Sequence, residues 1–294
     1  MELPVVTGVD GSAHSLAALD WAVDEAARRG AVLRLVHADG RPADGTTGPD
    51  APARPPAAPP PAERLLAEAA DRARRRNPAV GVVTESVPGD PVLVLVEAGR
   101  DAAMLVTGSR GRGAVAGLLL GSVSPAVAVR SGRPVVVVRP RADGRSAASE
   151  TGAPVVLGAG DAGEGSAAAR FALREAAARS TALLAVRAWH RPHEQIRHPL
   201  LTGSPSAAEE EQAEWLLGET LRAPRREYPR VEVGHRVDEG PAHQVLLDAS
   251  RSAALLVVGA HGRADHGAGL RLGKVTHAVL RHAECPVAVV PVRS

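Results

Sequence analysis

The chain repeats itself. The stretch "PVVTGVDGS" at residues 4–12 returns as "PVVLGAGDAG" at 154–163, and "AAMLVTGSRGRG" at 102–113 returns as "AALLVVGAHGRA" at 253–264. Likewise "GRPVVVVRP" at 132–140 returns as "ECPVAVVPV" at 284–292. Pro4 and Pro154 lie 150 residues apart, Ala102 and Ala253 151, Pro134 and Pro286 152. Three landmarks in one order at a nearly constant offset are the signature of internal duplication. The 294 residues therefore read as one folding unit made twice, each copy long enough to bury its own core. The expected division is a first domain over 1–140, a linker over 141–153 and a second domain over 154–294. The segment "RADGRSAASETGA" between the copies is polar and glycine-bearing, as an exposed linker is.

Within each copy short apolar runs alternate with amphipathic ones. In the first, residues 5–9, 32–37, 81–86, 104–107 and 135–138 read as strands. Helices are expected over 62–75 and 122–130, over a segment starting at Asp90–Pro91 and running to Val96, and over one capped by Ser12 or Ser15. The inner face of that first helix is Leu16, Leu19, Val23 and Ala26, the 3.6-residue spacing. The second copy repeats the order from Val155 to Val290. Unbroken Val/Leu strands separated by such helices predict an α/β fold: two tandem, mostly parallel five-stranded sheets with helices on both faces. Residues 42–61 hold eight prolines in twenty positions, which excludes helix or central strand and reads as a surface loop. The stretch 190–205 is its weaker counterpart.

Composition narrows the function classes. Thirty-five basic against 33 acidic residues give a formal net charge of +2, and no single-sign face demands nucleic acid or anionic lipid. The densest basic run, Arg72, Arg74, Arg75 and Arg76, reads as a solvated helix end rather than an RNA or DNA contact. One cysteine, Cys285, rules out an internal disulfide and a multi-thiolate zinc site. No 18-residue apolar span and no secretory n-region appear, so the expectation is a cytoplasmic protein without a membrane partner.

In such folds ligands bind at the carboxyl ends of the strands. Those ends deliver Val9, Asp10, Gly11 and Ser12; His37, Ala38 and Asp39; Val87, Pro88 and Gly89; and Gly108, Ser109, Arg110 and Gly111. The last group opens "GSRGRGAVAGLLLGS" at 108–122, with Gly108, two residues, Gly111, nine residues, then Gly121 and Ser122. Glycines let backbone N–H groups approach an anion without a Cβ in the way. The amides at the start of the last helix and the Ser122 hydroxyl suit a phosphate, and Arg110 and Arg112 add charge. Asp10 is expected to face the sugar or base, because a carboxylate beside metal-free phosphates repels them. The dinucleotide-binding fingerprint is excluded, since Gly111, Gly113 and Gly117 follow strand four and not strand one. "GLRLGKVT" at 269–276 is not a P-loop: three residues separate its glycines, and Val275 intervenes between Lys274 and Thr276.

"VVTGVDGS", the "GDP" of Gly89–Pro91 and "TGSRGRGAVAGLLLGSVS" ahead of "PVVVV" resemble the universal stress protein family in its tandem two-domain form. The likeness spans nearly the whole chain apart from the proline loop and linker. The Gly-2-Gly-9-Gly-Ser spacing resembles the family's ATP-binding subclass, whose fold is adenine nucleotide alpha hydrolase-like. Carried over by position, the resemblance implies that Asp10 contacts the adenine or ribose region and that Val9 and Ala38 line the base pocket. Gly108, Arg110, Gly111, Gly121 and Ser122 then hold ribose and phosphates, over a supporting strand from Met104 to Thr107. It implies ATP as ligand, with or without Mg²⁺, and pairing of domains through their last strands, as a homodimer or an intrachain pseudo-dimer. The second copy departs from the pattern. Gly160 stands for Asp10, with Asp161 displaced by one; His261 stands for Arg110. After Gly259 and Gly262, ten residues rather than nine precede Gly273, and Lys274 replaces the serine. A degenerate second site is expected there; the alternative is that Lys274 supplies a cation in place of the hydroxyl and the longer loop bulges to fit.

No nucleophile, base and orienting group assemble along the chain, and no metal cluster does. His37 reads as a satisfied histidine at a strand end, His261 and His266 as polar loop residues, and Trp189 as an anchor rather than a base-stacking platform. The expected function is ATP binding in a regulatory or stress-response role, with an unnamed regulatory protein partner. A slow Mg²⁺-dependent ATPase and a nucleotide-independent interaction module are the alternatives.

Overall fold

The computed structural model describes residues 2–40, 61–111, 119–140, 152–160, 165–189, 205–260 and 272–291. The chain divides into two units, Met1–Ala148 and Ser149–Ser294. Of the loops and linkers anticipated above, 42–60, 141–151 and 190–204 lie outside the described residues.

Unit 1 runs β1 (Val5–Gly8), α1 (Ala13–Arg29), β2 (Leu33–Ala38), α2 (Pro61–Arg76), β3 (Val82–Val87), α3 (Pro91–Ala98), β4 (Met104–Gly108), α4 (Val123–Arg130), β5 (Val135–Val138). Its strands lie in the order β3-β2-β1-β4-β5, all pairs parallel. Unit 2 has β6 (Val155–Gly158), α5 (Gly165–Ala178), β7 (Leu183–Trp189), α6 (Pro205–Glu227), β8 (Val233–Glu239), α7 (Ala242–Ser250), β9 (Leu255–Ala260), α8 (Lys274–His282) and β10 (Val287–Pro291). Its order is β8-β7-β6-β9-β10, again parallel throughout. The duplication extends to atomic detail. Leu95 of α3 lies 3.0 Å from where a Cβ on Gly8 would stand, and Leu246 of α7 lies 2.9 Å from the same point on Gly158.

The expected elements are present, with ends moved by one or two residues. Pro61 belongs to α2 and not to the proline loop, because proline suits a first helical position where its missing N–H costs nothing. Ser12 caps α1, accepting from Ser15 N at 3.1 Å. Asp90 caps α3 through Val92 N and Leu93 N, with Pro91 next. Leu19, Val23 and Ala26 of α1 are buried, while Leu16 is half-buried. The sheet core is aliphatic: Val5, Val6, Leu33, Leu35, Leu105, Val135 and Val136 have no exposed surface. Each such side chain contributes about 1.5–3 kcal/mol. Ala18, Ala22 and Ala26 let α1 lie close against that sheet.

In unit 1 the connections from β1 run toward β2 and β3 on one side, then cross to β4 and β5 on the other. The reversal lies between β1 and β4, and the carboxyl ends of those two strands are where a doubly wound sheet opens a crevice.

Candidate functional site

A cavity of about 460 Å³ occupies that crevice. Val9, Asp10, Ala38, Gly108, Arg110, Gly111, Gly121 and Ser122, the eight residues drawn from the motif of unit 1, all line it. Val36, Pro91 and Leu95 make its apolar part, and Thr107, Val123 and Ser124 join the glycine side. Arg112 lies outside the described residues.

The glycines are needed for reasons other than those the motif suggests. A Cβ on Gly108 would stand 2.6 Å from the carbonyl carbon and oxygen of His14 and 2.8 Å from Ser15 N. This glycine lets β4 end directly against the first turn of α1. A Cβ on Gly111 would stand 2.6 Å from Asp10 Oδ2, so this glycine clears room for a carboxylate of the protein itself. The amide of Gly121, expected to face phosphate, instead donates to Ser109 O at 2.8 Å. The loop closes on its own backbone there, and that donor is committed.

The start of α4 offers a place for an anion. Ser124 Oγ donates to Gly108 O at 2.6 Å, which pins the helix to the end of β4. Ser122 is the N-cap, but its hydroxyl makes no capping bond, and the first turn carries no acidic side chain. The first-turn amides of Val123 and Ser124 have no acceptor within the helix, and Pro125 has none to offer.

Charge gathers beside this turn. Arg110 Nε donates to His14 Nε2 at 3.1 Å, and His14 Nδ1 lies 2.8 Å from Ser109 Oγ. Arginine only donates, so Nε2 is the acceptor and the imidazole is neutral, with its proton on Nδ1 directed at Ser109. Burial, then the positive charges of Arg110 and Arg139, push the His14 pKa below 6.5, against an opposing pull from Asp10. Arg139, one residue beyond β5, is pushed below its ordinary value by burial and then by Arg110. Nothing in the sequence marks His14 or Arg139. Neither belongs to the glycine motif and neither lines the cavity; each bears on it through Arg110, which does.

The depressed His14 pKa has a consequence for stability. Between its folded value and 6.5 the unfolded chain holds the extra proton, so stability falls as pH falls through that window; above it both states are neutral. The melting temperature of the wild type is expected to drop from pH 7 to pH 5 more steeply than that of His14→Gln. Parallel curves from thermal melts would remove His14 from this role.

Asp10 is partly committed too. Its Oδ1 accepts from Ser12 N at 2.9 Å, an Asx-type turn between β1 and α1. His37 takes the expected satisfied arrangement, its Nδ1 2.7 Å from Val9 O. In unit 2, Gly259 lies within β9, Gly273 is the N-cap of α8 and Lys274 its first residue. Thr276 Oγ1 donates to Gly259 O at 3.4 Å, the counterpart of the Ser124–Gly108 bond. His261, Gly262, Asp161 and His266 lie outside the described residues. Trp189 ends β7 and lines a different cavity of about 520 Å³ with Glu210, Asp238 and Glu239. Among the described residues no group of carboxylate, histidine and cysteine side chains could hold a metal, and no helix is long and apolar enough to cross a membrane.

The universal stress protein family matches the chain twice, over residues 2–139 and 154–291. The chain belongs to the universal stress protein family. Universal stress protein Rv2005c of Mycobacterium tuberculosis is 36% identical over 97% of this chain and 96% of its own. A universal stress protein of Mycolicibacterium smegmatis is 31% identical over 98% and 97%. The crystal structure of a universal stress protein from Archaeoglobus fulgidus shares the fold, with a TM-score of 0.64 at 17% identity over 98% of both chains. The likeness is one of fold, a Rossmann-like α/β arrangement with a mostly parallel sheet, and in open sheets of this kind the switch point, which here lies between β1 and β4, is where ligands generally bind.

Proposed function

We propose that residues 1–140 of this universal stress protein form a domain that binds an adenine nucleotide, ATP foremost, and that occupancy serves a regulatory or stress-response role. Residues 154–294 form a companion domain with a degenerate site. One observation carries the reading. Eight residues taken from strand ends far apart in sequence line one cavity at the sheet's reversal point, with an uncapped helix N-terminus and a cationic cluster at one side of it. Helix amides and the Ser122 hydroxyl suit phosphate oxygens; Arg110 and Arg139 supply countercharge. Val9, Val36, Ala38 and Leu95 offer a flat apolar seat for a base. The choice of adenine comes from the likeness to the family's ATP-binding subclass.

The test is the nucleotide content of the purified chain by mass spectrometry, with calorimetric titration of ATP, with and without Mg²⁺. One equivalent per chain is expected, with slowed amide exchange at Ser122, Val123 and Ser124 when ATP is bound. Two equivalents would overturn the asymmetry between the domains. No binding would leave the protein an interaction module independent of nucleotide.

A further inference from the structure

The wall of the unit 1 cavity contains a hydroxyl that the protein leaves without a partner. Thr107 is 4% exposed, and its Oγ1 is buried with no hydrogen-bond partner among the described residues. A buried hydroxyl without a partner is destabilising, so the protein gains nothing from it unaided. Nor does the strand require it. Thr107 pairs in register with Val137 of β5, and the corresponding position in unit 2, paired with Val289 of β10, is Val258. Val258 is 3% exposed, so an equally buried position of the same sheet is filled by a side chain of the same shape without the oxygen.

The direction of the side chain follows from the strand. A Cβ on Gly99 would collide with the side chain of Leu105 at 2.4 Å, which puts Leu105 on the α3 face of the sheet. Thr107, two residues on, projects to the same face. The cavity opens on that face, with Leu95 of α3 on one side and Ser122 and Ser124 of α4 on the other. The other hydroxyl beside it, Ser124 Oγ, is committed to Gly108 O.

We infer that Thr107 is a ligand-recognition residue: its hydroxyl hydrogen-bonds an oxygen of the nucleotide's sugar–phosphate, between the apolar seat of the base and the start of α4. This rests on the nucleotide reading of unit 1 and adds a polar contact that unit 2 lacks at the same register. Binding then completes the hydrogen bonding of a buried group, which makes this contact selective for a ligand with an oxygen at that point.

The test uses the full chain with Thr107→Val, the residue unit 2 already carries, and Thr107→Ser, which keeps the hydroxyl. AMP and adenosine are titrated by calorimetry, and the ligand-free proteins are melted. Thr107→Val is expected to bind AMP about tenfold more weakly while its ligand-free melting temperature stays equal or rises. Thr107→Ser is expected to stay within about threefold of wild type. An equal loss on adenosine places the contact on the sugar; a loss confined to AMP places it on the phosphate. Unchanged AMP affinity in Thr107→Val, with a lowered ligand-free melting temperature, would make Thr107 a packing residue and overturn the inference. A wild type that binds neither ligand overturns the nucleotide reading itself, and this inference with it.

Discussion

Gly108→Ala is expected to destabilise unit 1 by about 3 kcal/mol, the upper part of the range for overpacking. For a unit of this size that lowers its melting temperature by roughly 10 °C. The magnitude follows from what the new methyl group meets. It would sit 2.6 Å from the backbone carbonyl of His14 and 2.8 Å from the amide nitrogen of Ser15. A side chain in that place could rotate away; the first turn of a 17-residue helix cannot. Relief requires α1 to slide along the sheet, which breaks the contact of its alanine face and moves His14 away from Ser109 and Arg110. Nucleotide binding should fall with stability, because His14, Arg110 and Asp10 all take their places from that contact. Gly132→Ala is the control. No atom lies within 4 Å of the Cβ it would add, so a change near zero is expected. Equal melting temperatures for Gly108→Ala and Gly132→Ala would show that α1 does not hold β4 as described.

Arg139→Met is expected to weaken ATP binding by about 10- to 100-fold, the equivalent of one charge-assisted hydrogen bond. The loss should shrink from ATP to AMP and vanish for adenosine. Arg139 bears on the site through charge: burial, and then the positive charge of Arg110, both disfavour its cation. An anion between or beside two guanidinium groups relieves their repulsion, and each added phosphate relieves more of it. Methionine keeps the length and the apolar stem while removing the charge. Titration at two salt concentrations supplies the check: the affinity of the wild type should fall more steeply with salt than that of the variant. An equal loss for adenosine would instead make Arg139 a structural residue at the end of β5.

Much of this molecule is legible before it folds. The repeat, the alternation of Val-rich strands with alanine-faced helices and the cap residues at Ser12 and Asp90 all act through local sequence. Hydrophobic period and capping chemistry are properties of a few neighbouring residues, and the structure agrees with them to within a residue or two. The lining of the cavity was legible as well, because a parallel sheet sends the carboxyl end of every strand to one edge. Any residue at or just past a strand's carboxyl end, such as Val9, Ala38 or Gly108, is therefore delivered to that edge.

Tertiary structure alone decided what each of those residues does there. Glycine at 108 and 111 looks from sequence like an opening for a ligand's anion; in the fold it is clearance for the His14 carbonyl and the Asp10 carboxylate. The Gly121 amide looks available and is bonded to Ser109. His14 and Arg139 carry no motif and act on the site through Arg110, His14 from the first turn of α1 and Arg139 from just past β5. The orphaned hydroxyl of Thr107 is invisible in a strand that reads MLVTG. Sequence period determines which face a side chain takes, since that depends on dihedral angles a few residues long. Which donor meets which acceptor depends on distances across segments about a hundred residues apart, and those exist only once the sheet has closed its order.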